Sequence, residues 1–266
     1  MAAGQNPFEN QQPIDGVKHV ILVGSGKGGV GKSTTSVNIA LALKNQGKSV
    51  GLLDSDIYGP SIPRMLGSMN QKIEVDENNK MQPIVRYGLK LMSIGFLVEE
   101  SQAIIWRGPM LFKAMDQFFR DVLWGDLDYL IIDLPPGTGD VVLTIAQKIP
   151  VSGGLVVTTP QNIALADAKK AIDMFEKTNI PRLGVIENMS SFTPPGSTKK
   201  IQLFPKGDLD AYLDSKKIEK FTDIPFNPNI SICSEAGIPI VESKPESEET
   251  KIFNDIASRV IEACPS

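Results

Sequence analysis

The chain has 266 residues, 41% hydrophobic and 22% charged, with a formal net charge of −4 at pH 7. That length suits one large α/β domain with a sizeable core, and no apolar run approaches the ~20 residues that cross a bilayer. The acidic balance excludes a broad non-specific grip on nucleic acid, and two cysteines without C-x-x-C spacing, Cys233 and Cys264, signal neither a disulfide framework nor a self-contained metal site.

Residues 1–16 are polar and rich in Gln, Asn and Pro, and read as a flexible arm before one domain at 17–266. The arm has neither the basic cluster nor the apolar stretch of a secretory signal, so a cytoplasmic protein is expected. Runs rich in Val, Ile and Leu at 18–24, 49–54, 129–133, 155–159 and 183–187, with weaker ones at 90–94 and 221–224, predict strands buried on both faces. Helices are expected at 32–46, stopped by Gly47, and at 109–123, 164–178 and 248–263. This alternation predicts an α/β fold, a doubly wound, mostly parallel sheet flanked by helices. Two polar stretches, 68–83 and 192–215, read as surface excursions. The last helix puts Ile252, Phe253, Ile256, Ala257, Val260 and Ile261 on one face, but its acidic residues outweigh Lys251 and Arg259. It is expected to dock on the sheet rather than on anionic lipid.

The first strand runs into Gly26-Lys27-Gly28-Gly29-Val30-Gly31-Lys32-Ser33, followed by Thr34 and a helix. This is GxxxxGK[ST] in its strand-to-helix context. The glycines let successive N–H groups turn inward, and the helix N-terminus adds its own donors, making a cradle for phosphate oxygens. Lys32 is expected to reach the β- and γ-phosphates of ATP, and the Ser33 hydroxyl to ligate Mg²⁺. Lys27 is a second lysine that holding one nucleotide in one chain does not require.

Tyr129-Leu130-Ile131-Ile132-Asp133 is an apolar strand ending in a carboxylate, so Asp133 is the candidate to hold Mg²⁺. Leu52-Leu53-Asp54-Ser55-Asp56 ends a second strand with carboxylates two apart. Asp56 is the candidate for orienting the attacking water, and Asp54 for supporting the metal. Phosphoryl transfer needs mainly positioning and charge neutralisation, here assigned to Lys27, Lys32 and the metal.

With these residues in place, the chain resembles the deviant Walker A ATPases, the group of MinD, ParA, ArsA and the nitrogenase iron protein, and most closely the Mrp/ApbC family. Further blocks carry the resemblance: Asp54-Ser55-Asp56-Ile57-Tyr58-Gly59-Pro60-Ser61, Trp106-Arg107-Gly108-Pro109-Met110, Asp133-Leu134-Pro135-Pro136-Gly137-Thr138-Gly139-Asp140 and Glu187-Asn188-Met189-Ser190. The resemblance implies a slow ATPase that dimerises around ATP, with Lys27 reaching phosphates held by the other subunit. It also implies that Asn188 contacts the adenine edge and that Pro225 and Phe226 wall the base. Mrp/ApbC proteins carry iron–sulfur clusters on a CxxC shortly after Asn-Met-Ser. Here Thr193 and Gly196 stand at those two positions, and neither supplies the soft sulfur a cluster selects. The resemblance therefore implies a role in iron–sulfur cluster assembly or carriage, with an assembly or client protein as partner. A MinD/ParA-like switch that binds a protein partner and no cluster is the alternative.

Overall fold

The computed structural model describes residues 8, 10–57, 59–97, 108–137 and 139–266. Tyr58, Trp106, Arg107 and Thr138, named in the resemblance, lie outside the described residues, as does the side chain of Pro109.

The strands are β1 (Val17–Ser25), β2 (Val50–Asp54), β3 (Glu74–Val75), β4 (Met81–Gln82), β5 (Ile84–Arg86), β6 (Leu89–Ser93), β7 (Leu127–Asp133), β8 (Gly153–Thr158), β9 (Arg182–Asn188) and β10 (Lys220–Ile224). The helices are α1 (Lys32–Asn45), α2 (Ile62–Met65), α3 (Gly108–Arg120), α4 (Asp140–Lys148), α5 (Asn162–Lys177), α6 (Leu209–Lys216), α7 (Pro228–Glu235), α8 (Ile240–Ser243) and α9 (Glu248–Ala263). Eight strands form one sheet in the order β10-β9-β8-β1-β7-β2-β6-β5, parallel throughout except for β5 against β6. The doubly wound parallel sheet expected from the alternating runs is present.

Successive residues of a strand face opposite sides of the sheet, so an all-apolar strand feeds two cores. Val20 and Leu22 of β1 join Leu130, Phe118, Ile145 and Phe175 under α3, α4 and α5. Ile21 and Val23 join Ile131, Ile39, Leu43 and Phe253 under α1 and α9. Helix α1 lies deep, with Ile39, Ala40, Leu41, Ala42 and Leu43 all at 0% exposure, because α9 covers its outer side. The apolar face of α9 does dock there: Phe253, Ile256, Ala257 and Val260 are buried. No helix among the described residues is long and apolar enough to cross a membrane.

Three features differ from the sequence expectations. Residues 140–148 form α4, whose Val141, Val142, Ile145 and Ala146 are buried on one face; a glycine- and proline-rich run just before it masked that periodicity. The excursion at 68–83 holds a two-stranded ribbon, β3 with β4, and the one at 192–215 contains most of α6. The end of the N-terminal arm is attached to the domain. Ile14 is buried, the Arg120 guanidinium donates to the carbonyls of Gln12 (2.9 Å) and Pro13 (2.7 Å), and Gln12 N–H donates to the Lys148 carbonyl.

The register aligns the carboxyl ends of three central strands. Val23 of β1 and Asp54 of β2 both pair across to Asp133 of β7. Ligands of open α/β sheets bind at such an end.

Candidate nucleotide site

The glycine-rich loop leaves β1 at Ser25 and enters α1 at Lys32. Gly29 and Gly31 have φ of +78° and +84°, in the left-handed region that costs a residue with a Cβ. Gly31 has a second reason to be glycine, since an added Cβ would lie 2.2 Å from the Asn188 amide nitrogen. At Gly26 an added Cβ would lie 2.1 Å from the Asp167 backbone, so the loop rests directly on α5. Gly28 and Gly29 face open space. Val30 is buried under the loop, and Thr34 anchors the first turn of α1 by accepting from the Asn38 amide at 2.8 Å.

Lys32, Ser33 and Asp133 meet at the base of this loop. Lys32 Nζ donates to Asp133 Oδ2 at 2.7 Å, Ser33 Oγ donates to the same oxygen at 2.6 Å, and Nζ lies 3.1 Å from Ser33 Oγ. Lys32 is 5% exposed and Asp133 0%, so the charges are compensated inside the protein rather than by water. Two serines that the sequence reading did not single out complete the cluster. Ser36 Oγ donates to Asp133 Oδ1 at 2.6 Å, and Ser55 sends both its N–H (3.0 Å) and its hydroxyl (2.7 Å) to the Asp133 backbone carbonyl. The one signal for Ser36 was its place a helical turn after Lys32, on the same face.

Asp54 is fully buried and turned to its own loop. Its Oδ1 accepts from Asp56 N–H (3.1 Å) and its Oδ2 from Ile62 N–H and Ser93 Oγ (both 3.2 Å). It thereby ties the Asp56 loop to α2 and β6, a task its position as a metal-supporting carboxylate did not suggest. Burial, and then the neighbouring charge of Asp133, push its carboxyl up to about 7, while the two N–H donors and Lys32 pull the other way.

Lys27, Gly28, Gly29, Lys32, Ser33, Thr34, Asp56 and Pro136 line one cleft of about 250 Å³. Lys27 makes no ion pair with any described residue, and its carbonyl accepts from Ser25 Oγ at 3.0 Å. Asn188 stands beside the loop and donates to the Val30 carbonyl at 2.8 Å. Pro225 and Phe226 line a different and larger cavity of about 790 Å³, with Phe192, Thr193, Lys220 and Glu249 among its walls. One cleft thus holds most of the expected phosphate-binding residues, while Asn188 pairs across β9 and β10 with Ile224, the residue before Pro225.

The larger cavity is bordered by a hairpin. Phe192 and Ile201 exchange both N–H···O bonds at 2.8 Å, and Phe192 packs edge-to-face on Phe226 at 5.9 Å. Beyond that rung, Ser197 N–H donates to the Pro194 carbonyl at 3.0 Å around Pro195 and Gly196, and Gly196 has φ +76°. Proline followed by a positive-φ glycine is a type II turn. The position of the second expected cysteine is therefore the residue that the turn requires to be glycine. Among the described residues no group of three or more His, Cys, Asp or Glu is placed to hold a metal ion. Cys233 and Cys264 are buried; Cys233 Sγ lies 3.1 Å from Ser243 Oγ, and burial raises the thiol of Cys264.

Residues 16–261 match the ParA family model described as the NUBPL iron-transfer P-loop NTPase. An iron-sulfur cluster carrier protein of Aquifex aeolicus is 48% identical over 263 residues, covering 97% of this chain and 72% of the relative. The iron-sulfur cluster transfer protein NUBPL of Mus musculus is 48% identical over 253 residues, covering 94% and 79%. Among solved structures, a nucleotide-binding protein of Archaeoglobus fulgidus in complex with ADP superposes with a TM-score of 0.77 at 38% identity, covering 90% of this chain and 93% of that one.

Proposed function

The chain belongs to the NUBPL iron-transfer P-loop NTPase family, and on that footing we propose that it is an ATP-hydrolysing clamp of two copies that serves iron–sulfur cluster assembly without holding the cluster at positions 193 and 196. The observation that carries the reading is the Lys32–Ser33–Asp133 cluster at the base of the glycine loop, with Asp56 and Lys27 on the same cleft.

In this reading ATP phosphates enter the loop and draw Lys32 away from Asp133, an exchange of one charge-assisted hydrogen bond for others. Ser33 and Asp133 are hard oxygen donors meeting at 2.6 Å, which fits Mg²⁺. When bound, the ion supplies neutralisation of phosphate charge. Asp56, held by Asp54 through its backbone N–H, orients the water that attacks the γ-phosphate. Lys27, on the rim of the same cleft, reaches phosphates held by a second copy, and its lack of an ion pair among the described residues leaves its ammonium available. The base lies against Pro225 and Phe226, with Asn188 fixing the loop beside it.

An iron–sulfur cluster, which the relatives carry or transfer, is the cargo in this reading and counts as substrate. Thr193 and Gly196 supply no thiolate, so cargo is held by another protein while this chain supplies the nucleotide-driven change of shape. Light-scattering mass with ATP and Mg²⁺ tests the clamp. The parent is expected as a dimer, and Lys27→Ala as an ATP-binding monomer; a Lys27→Ala dimer equal to the parent refutes the reading. Anaerobic reconstitution tests the cargo, with iron and sulfide expected only at background, and a stoichiometric cluster overturning it. The same two positions favour a second reading, a partner-binding switch with no part in cluster chemistry. It prevails if ATP-loaded protein fails to speed cluster transfer between a loaded donor and an apo acceptor.

A further inference from the structure

Asp133 presents two side-chain oxygens, and their partners divide unequally. Oδ2 takes both Lys32 and Ser33, the two groups that nucleotide and metal recruit; Oδ1 takes Ser36. Ser36 sits on α1 at 0% exposure. A helical serine ordinarily returns its proton to the carbonyl four residues earlier, and here the Lys32 carbonyl lies 3.1 Å away. The hydroxyl has one proton, and the charged acceptor at 2.6 Å outcompetes the neutral one at 3.1 Å. Once Lys32 and Ser33 turn to the ligand, Ser36 is the described side chain still donating to this carboxylate.

We infer that Ser36 is a positioning residue, which holds the Asp133 carboxylate in its metal-facing orientation after Lys32 and Ser33 leave it. The inference rests on the reading of Asp133 as the Mg²⁺-holding carboxylate. Ser36 touches neither phosphate nor metal. Without it Asp133 keeps its charge but loses the donor that fixes its plane, and Ser55 secures only the backbone carbonyl.

The test is fluorescent ADP binding, titrated with Mg²⁺ and repeated in EDTA, on the full chain and on Ser36→Ala and Ser36→Cys. A hydrogen bond to a charged group sets the scale, so Ser36→Ala is expected to need about tenfold more Mg²⁺ for half-maximal tightening while its EDTA affinity stays at the parent value. Ser36→Cys preserves the side-chain shape with a weak donor and is expected to fall between; it carries the test if the alanine variant does not fold. A Mg²⁺ requirement equal to the parent in the folded variants overturns the inference, as does an equal loss of affinity with and without Mg²⁺, which a merely structural serine would produce. A parent whose ADP binding ignores Mg²⁺ instead overturns the reading of Asp133 itself.

Discussion

The two ends of the ligand-bearing edge are built by opposite rules. At the glycine loop Lys32, Ser33, Ser36 and Ser55 all bond to Asp133, the Lys32–Asp133 pair is buried, and three strands align their ends on Asp133. At the hairpin beyond β9 the walls mix Phe192, Ile201 and Phe226 with charged side chains such as Lys220, Glu187 and Glu249, the cavity is about three times larger, and the tip is an exposed turn. A buried ionic network tolerates little change because removing one partner strands the other in low dielectric, whereas an exposed turn asks only for a backbone conformation. The glycine-loop end is therefore constrained by its buried charges, and the tip of the hairpin by backbone conformation.

The largest break in that contrast comes from Lys32→Ala. Two lost charge-assisted contacts to phosphate correspond to roughly 100-fold weaker nucleotide binding, measured by calorimetry. Next comes Asp56→Ala, expected to slow turnover by about 100-fold with ATP binding retained, since a water-orienting group acts in the transition state rather than the ground state. Single-turnover hydrolysis alongside the binding isotherm separates the two, and equal losses in both would remove Asp56 from its role. At the hairpin, Gly196→Ala should cost only about 1 kcal/mol of local stability, because the added Cβ meets nothing within 4 Å and the penalty is the positive φ alone. Hydrogen exchange of the Ser197 amide reads that loss, while ADP affinity stays unchanged.

A smaller effect concerns pH. Asp54 keeps its proton in the folded chain up to about 7, well above the unfolded carboxylate, so its contribution to stability is full in acid and is lost as pH rises toward 7. Asp54→Asn cannot ionise, and its melting temperature is expected to gain on the parent's between about pH 4 and about pH 7 and to run parallel above it. Melting temperatures that run parallel throughout that window would contradict the burial argument.

Most of the glycine-loop end was legible in the sequence because its signals are local. A strand, four glycines, a lysine and a hydroxyl in one octet specify the cradle, and an apolar run ending in Asp133 specifies its opposite wall. The contributions of Ser36, Ser55 and Ser93 were not legible, since a serine hydroxyl bonds whatever the fold brings near it, and these partners come from remote strands. Asp54 was seen as a carboxylate of the site but not as a strap, because its acceptors are filled by backbone N–H groups that exist at every position. Helix α4 escaped for a different reason: its start is a loop of Pro and Gly that punctuates more loudly than nine residues of periodicity. The type II turn was present in plain view as Pro195-Gly196, yet it was read for the thiols it lacks.

The Phe192–Ile201 rung joins backbone to backbone, and a bond of that kind does not depend on which side chains lie beyond it. The exposed tip at 196–199, which does not line the larger cavity, is thus a fitting on a fixed handle. A short peptide spliced between Pro195 and Lys200, whether a metal-binding tag, a dye acceptor or an epitope, would ride on the nucleotide domain without entering the Asp133 charge network, turning the hairpin into a port through which the nucleotide state could be reported from outside.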